Sequence, residues 1–132
     1  MNPISSSIVE RMMIISIGAV LGANTRYWIS IWAAQKWGIA FPYGTFLVNL
    51  SGSLLIGFLL AVTTEHLVID PRWRLFFTVG FCGAYTTFST YTYDSFQMIE
   101  RGQWLLGLVY AFGSTITGLI AVGLGMLLGK SL

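Results

Sequence analysis

Gly83-Ala84-Tyr85-Thr86-Thr87-Phe88-Ser89-Thr90-Tyr91 lies in the middle of the third hydrophobic segment of this chain. It does not read as a lipid-facing helix. Four Thr and Ser hydroxyls and three aromatic rings crowd into nine residues behind a glycine. Polar groups at membrane depth are costly unless they face protein or water. Such a cluster marks a route for something polar through a bilayer. It carries no charge, so it offers donors, carbonyls and ring edges rather than ion pairs.

The chain around it is that of a membrane protein. Of its 132 residues 55% are hydrophobic and 9% charged, with mean hydropathy +0.75. Soluble domains carry about 25% charged residues. The length accommodates one domain, 1–132, and the net charge of +2 is too small and scattered for nucleic acid. The lone Cys82 excludes an internal disulfide, and its apolar surroundings read as inert packing. The first ten residues lack the basic start and cleavage site of a secretory signal, so the first hydrophobic run is expected to be retained.

A span needs about 20 mostly apolar residues. Four windows qualify: 12–34, 45–64, 75–97 and 104–128. The expected fold is therefore an all-α membrane domain of four helices. Pro3, Pro42 and Pro71 fall outside the windows, and Trp37, Trp73 and Trp104 sit near their ends, where interfacial tryptophans concentrate. With four spans, Arg11, Arg72, Arg74 and Lys130 lie on one side against Lys36 and Arg101 on the other. This bias admits an N-terminus in the cytoplasm or a chain that inserts both ways and pairs antiparallel with itself. Four helices enclose little alone, so a polar path through them calls for at least two copies. Gly18/Gly22 and Gly125/Gly129 are small-xxx-small pairs suited to helix contacts.

Several residue sets could carry chemistry. Phe88 and Tyr91 share a helix face, extended by Thr87 and Asp94, while Ser89 and Thr90 point to neighbouring faces. Aromatic rings have positive edges, so such a pair either packs or solvates a small anion. Thr45, Asn49 and Ser53 recur at i, i+4 and i+8, a stripe that suits pore lining or interhelical hydrogen bonding. Tyr110, Ser114 and Thr117 or Gly118 form a similar stripe. Arg26, the only basic residue within a span, either snorkels or gathers anions at a pore mouth. Asp94 is placed to pair with an arginine or cap a neighbouring group. His66, beside Glu65 and Asp70, reads as a solvated loop rather than a metal site.

Some functions are disfavoured. The spans hold no carboxylate pair for acid–base work and no His/Cys cluster with metal spacing. The run from Gly125 to Ser131 fails the phosphate-loop spacing. An enzyme is not expected. A proton-coupled exporter of cationic drugs needs a membrane-buried carboxylate, and only Asp94 comes near a core. A structural subunit of a larger complex would not need polar stripes on three helices. An anion pathway fits best.

The chain resembles the Fluc (CrcB) family of fluoride channels over nearly its full length. The resemblance rests on Gly22-Ala23-Asn24-Thr25-Arg26-Tyr27, on Gly44-Thr45-Phe46-Leu47-Val48-Asn49-Leu50-Ser51-Gly52, and on Gly80 through Tyr91. It implies a dual-topology, antiparallel homodimer in the bacterial cytoplasmic membrane. That dimer would have two fluoride pores, a third helix broken mid-membrane, and a structural sodium ion at its centre. By position, Gly83 and Thr86 would supply carbonyls to the sodium. Phe88 and Tyr91 would be the pore-lining ring pair and Asn49 the pore asparagine. Ser89, Thr90, Tyr110 and Ser114 would form the polar track, joined by Thr45, with Arg26 as the basic residue near the entrance. Two positions depart from the family pattern: Tyr91 where phenylalanine is usual, and Asp94 where glutamate is common. The function implied is passive export of fluoride.

Overall fold

The computed structural model describes residues 3–65 and 69–132. The loop reading of His66 lies outside the described residues. Every regular element among them is helical. Helix α1 (Pro3–Trp37) ends where Gly38 adopts φ +83°, and its amide closes on the Ala34 carbonyl at 2.9 Å. Only glycine takes that left-handed backbone cheaply, which makes it an effective helix stop. Helix α2 (Tyr43–Glu65) follows a short connector. Neither Asn24 nor Arg26 interrupts α1. The Asn24 amide and Thr25 hydroxyl bond back to the carbonyls of Val20 and Leu21, so both stay within the helix's own hydrogen-bonding pattern.

The next stretch is segmented. A single turn, α3 (Pro71–Arg74), starts on Asp70, whose carboxylate accepts from the Arg72 amide at 2.9 Å. It runs into an eight-residue π-helix, Leu75–Cys82, then into α4 (Gly83–Tyr85). The backbone turns extended at Thr86 and Thr87 before α5 (Phe88–Glu100) begins. Helix α6 (Trp104–Lys130) completes the chain after a tight turn at Gly102, φ +80°.

Three helical stretches are long and apolar enough to cross a membrane: Ser7–Trp37, Tyr43–Thr64 and Trp104–Lys130. The stretch from Pro71 to Glu100 is divided among shorter elements, so none of its pieces reaches that length alone.

Helices approach closely where glycines remove the side chain. The broadest packing is α2 against α6. There a Cβ on Gly57 would collide with the Val122 carbonyl, and one on Gly125 with the Leu54 carbonyl. Gly129 lies against Phe58 and Ala61. The second large contact sets α1 on the π-helix, with Gly18 and Gly22 against the backbone of Phe76, Gly80 and Phe81. Both small-xxx-small pairs therefore lie at helix contacts, where packing holds membrane helices together. The protein interior is thin: Val48 and Cys82 are the largest fully buried side chains, while Trp28, Phe88, Phe112, Leu119 and Leu127 face outward. An outward apolar surface of this extent suits lipid and partner helices rather than water.

Candidate functional site

The site is built around Thr86 and Thr87. In a continuous helix the Thr87 amide would donate to the Gly83 carbonyl. It donates instead to Asn49 Oδ1 on α2, at 2.8 Å, and Asn49 Nδ2 donates to the Thr87 carbonyl at 3.0 Å. The Asn49 amide thus pairs with one residue's whole backbone, as a neighbouring strand would. Among the described residues no backbone donor reaches the Gly83 carbonyl across the interruption. Upstream, the Thr86 amide and hydroxyl both donate to the Cys82 carbonyl, at 3.1 and 3.0 Å, closing the first half. Downstream, Thr87 caps α5: its hydroxyl oxygen accepts from the Thr90 amide at 3.2 Å and donates to the Thr90 hydroxyl at 3.1 Å. A threonine cap of this kind satisfies a first-turn amide that would otherwise lack a partner.

These residues border an open recess of about 280 Å³, with Asn49, Gly83, Thr86, Thr87, Phe88 and Tyr91 in its wall. Ser53, the next member of the α2 stripe, lines it as well. Phe88 projects from the first turn of α5 and is 78% exposed. Its ring centroid is 5.8 Å from that of Tyr91, at 47°. Ser89 and Thr90 sit beside it on the exposed side of α5.

The Tyr91 ring reaches the second polar group, 5.5 Å from the Tyr110 ring on α6. Tyr110 is 2% exposed, and Phe41 meets it edge-on at 5.3 Å. The buried Thr45 side chain approaches both Asp94 and Tyr110. Asp94 Oδ2, Tyr110 Oη and Ser114 Oγ are buried without a hydrogen-bond partner among the described residues. Buried polar atoms are normally paired, so these three atoms on α5 and α6, with Thr45 beside Asp94 and Tyr110, form a polar cluster inside the helices. Asp94 also lines a smaller recess, about 140 Å³, with Gln97, Arg101 and Gln103, and the Arg101 guanidinium donates to Gln97 Oε1 at 3.2 Å.

The sequence-derived residues therefore fall into two joined groups, with Tyr91 as the link. Arg26 is in neither. It stands on α1 between Gly22, which packs on Phe81 and Tyr85, and Ser30, which packs on Gly44. Its Nε is buried and unpaired among the described residues. Sequence reasoning overlooked Tyr85, buried and stacked on Phe81, whose hydroxyl meets the Ser51 hydroxyl at 2.8 Å. No spacing rule links residues 51 and 85. The Thr87 cap, by contrast, was readable as a threonine opening a helix.

Residues 13–126 match the family profile described as "CrcB-like protein, Camphor Resistance (CrcB)". The chain belongs to the CrcB family. Its CrcB relatives include the "Fluoride-specific ion channel FluC" of Chloroflexus aurantiacus, 45% identical over 122 residues, which cover 92% of this chain and 97% of the relative. The protein of the same name from Synechococcus sp. is 44% identical over 116 residues, 88% of this chain and 89% of its own. That from Geotalea uraniireducens is 36% identical over 124 residues, 94% and 100% respectively. The match to the CrcB profile spans both polar groups, from Thr45 on α2 to Ser114 on α6, and includes Arg26 on α1.

Proposed function

We propose that this chain is a fluoride-selective channel rather than an enzyme, exporting cytoplasmic fluoride passively and so limiting its toxicity. The observation that carries this reading is the recess at Thr86–Thr87. Uncharged donors, an amide and two aromatic rings meet there in a CrcB chain whose relatives are named fluoride-specific channels.

Fluoride holds its water tightly, and a pore must replace that shell without trapping the ion. Neutral groups suit both demands. Phe88 and Tyr91 can present positive ring edges, which attract an anion weakly. Ser89, Thr90 and Ser53 offer hydroxyl donors, and Asn49 keeps one amide hydrogen beyond the one given to Thr87. Beyond Tyr91, the orphaned hydroxyls of Tyr110 and Ser114, with Thr45, extend the donor line along α6. Asp94 at that end accepts rather than donates while ionised, so it is suited to orient Thr45 and Tyr110. Arg26 supplies positive charge that raises the local anion concentration.

In this reading the chain crosses the bacterial cytoplasmic membrane four times as one domain. The stretch from Pro71 to Glu100 forms the third crossing, broken near mid-membrane. Two copies pair antiparallel, which would cover the exposed Phe88 and close each recess into a pore. A structural sodium ion would sit between them on the carbonyls of Gly83 and Thr86 from each copy. The fit is supported by the Gly83 carbonyl, which has lost its helical donor, and by hard cations' preference for oxygen ligands. Bound there, the cation would supply fixed positive charge and cross-link the two copies.

The test is ion efflux from liposomes containing the purified protein, read with fluoride and chloride electrodes. Rapid fluoride loss with chloride retained is the expected result. Loss of both ions would remove the selectivity argument. Retention of both by a confirmed dimer would reject the channel and return attention to the proton-coupled exporter, with Asp94 as its carboxylate.

A further inference from the structure

We infer that Asn49 is the positioning residue of the chain break: by taking the Thr87 amide, it keeps the Gly83 carbonyl free for a hard cation. The inference rests on the sodium reading given above and assigns to α2 the control of that site.

The geometry has three parts. First, both faces of the Asn49 amide are committed to Thr87, the oxygen to its N–H at 2.8 Å and the nitrogen to its carbonyl at 3.0 Å. Two bonds to one residue fix its peptide orientation as well as its position. Second, the Thr87 amide is the donor that a continuous helix would send to Gly83. A peptide N–H and a carbonyl one turn apart pair readily, so the break persists only while a better-placed acceptor holds the amide. Third, Gly83 is open on its outer side. A Cβ built there would meet nothing nearer than the Thr78 carbonyl, 3.9 Å away. Asn49, Gly83, Thr86 and Thr87 share one recess wall, so the clamp and the residue whose carbonyl it releases border the same space.

Asn49 thereby acts through Thr87 rather than by touching a cation. Leucine has similar bulk and no polar atoms, so Asn49→Leu returns the Thr87 amide to Gly83 and withdraws the carbonyl. Replacing the Thr87 backbone amide by an ester removes the N–H altogether. With nothing left to recapture the Gly83 carbonyl, the ester restores cation access in the Asn49→Leu background. A residue that merely packs would not produce that reversal.

The experiment is thermal melting of the purified dimer in sodium chloride and in N-methyl-D-glucamine chloride, with fluoride efflux measured alongside. The wild type is expected to melt higher in sodium. Asn49→Leu is expected to lose that difference, and Asn49→Leu carrying the Thr87 ester to regain it. A folded Asn49→Leu dimer with the full sodium shift overturns the inference. Should Asn49→Leu fail to fold, the ester in the wild-type background decides: retention of the shift supports the inference, and its loss overturns it. A wild type that exports fluoride yet shows no sodium shift removes the sodium reading and the cation role of Asn49 together, leaving the channel standing. Absence of fluoride efflux with an intact sodium shift rejects the channel and leaves the clamp.

Discussion

The Tyr91 hydroxyl lies 3.0 Å from the Thr115 hydroxyl, and both donate to the Ala111 carbonyl on α6. The second ring of the recess is thus stapled to the neighbouring helix by the oxygen that phenylalanine lacks. Interhelical hydrogen bonds in membranes contribute about 0.6 kcal/mol on average, with ~1.7 as the upper end. Tyr91→Phe is therefore expected to lower the stability of the folded protein by that order. Fluoride-over-chloride selectivity should persist, because the ring remains. Melting curves and paired electrode traces check both halves, and an inactive, well-folded Tyr91→Phe would assign the hydroxyl to the ion instead.

Phe88 has no such anchor. It stands at the start of α5 with most of its ring outside the subunit. Phe88→Ile keeps the apolar bulk and removes the ring edges, so fluoride efflux should fall with the dimer intact by size-exclusion chromatography. Undiminished flux would remove Phe88 from the pathway.

Ser51 and Tyr85 provide an internal comparison, since neither borders the recess. Their hydroxyls meet at 2.8 Å between α2 and α4. Tyr85→Phe should destabilise by about 0.6 kcal/mol, on the scale measured for such bonds. Adding Ser51→Ala should cost less than the sum of the two single changes, because residues in contact are not additive. A fully additive cycle in reversible unfolding would show that the pair does not interact.

The α2–α6 contact is where a small residue matters most. At Gly125 any side chain would press on the Leu54 carbonyl and the Phe58 amide. Gly125→Leu should separate the helices and cost on the order of 1–3 kcal/mol, the usual range for overpacking. Gly123→Leu, one half-turn away with open space around it, should be tolerated. Equal melting temperatures for the two variants would contradict the packing described.

The helical class and the apolar windows were legible because hydropathy is a local property. The windows that became α1, α2 and α6 declare themselves in runs such as Leu54–Leu60. The Gly83–Tyr91 cluster was legible as a departure from the apolar pattern around it. What composition could not yield was where backbone groups go. The Asn49–Thr87 pairing joins residues 38 apart, and nothing in the i, i+4, i+8 stripe of α2 distinguishes a pore-lining amide from one that clamps a peptide. The spacing left both open, and the geometry uses Asn49 as a clamp while leaving it in the recess wall. The π-helix at Leu75–Cys82 was equally hidden, since the same apolar residues would serve an α-helix. Arg26 was noticed for its charge, but its separation from the recess depends on how α1 seats on Gly80 and Phe81.

The clamp also bears on how the protein is made. Residues 71–100 emerge from the ribosome after α2, and their interruption is held open by a side chain that α2 contributes. Threaded alone into lipid, that stretch has every reason to close its backbone bonds along one uninterrupted rod. The break is thus written only partly into the segment that contains it, through the Thr87 cap on α5. The Asn49–Thr87 pairing supplies the rest, and it can form only once α2 lies alongside, so this part of the fold needs two segments brought together before either amide group is satisfied.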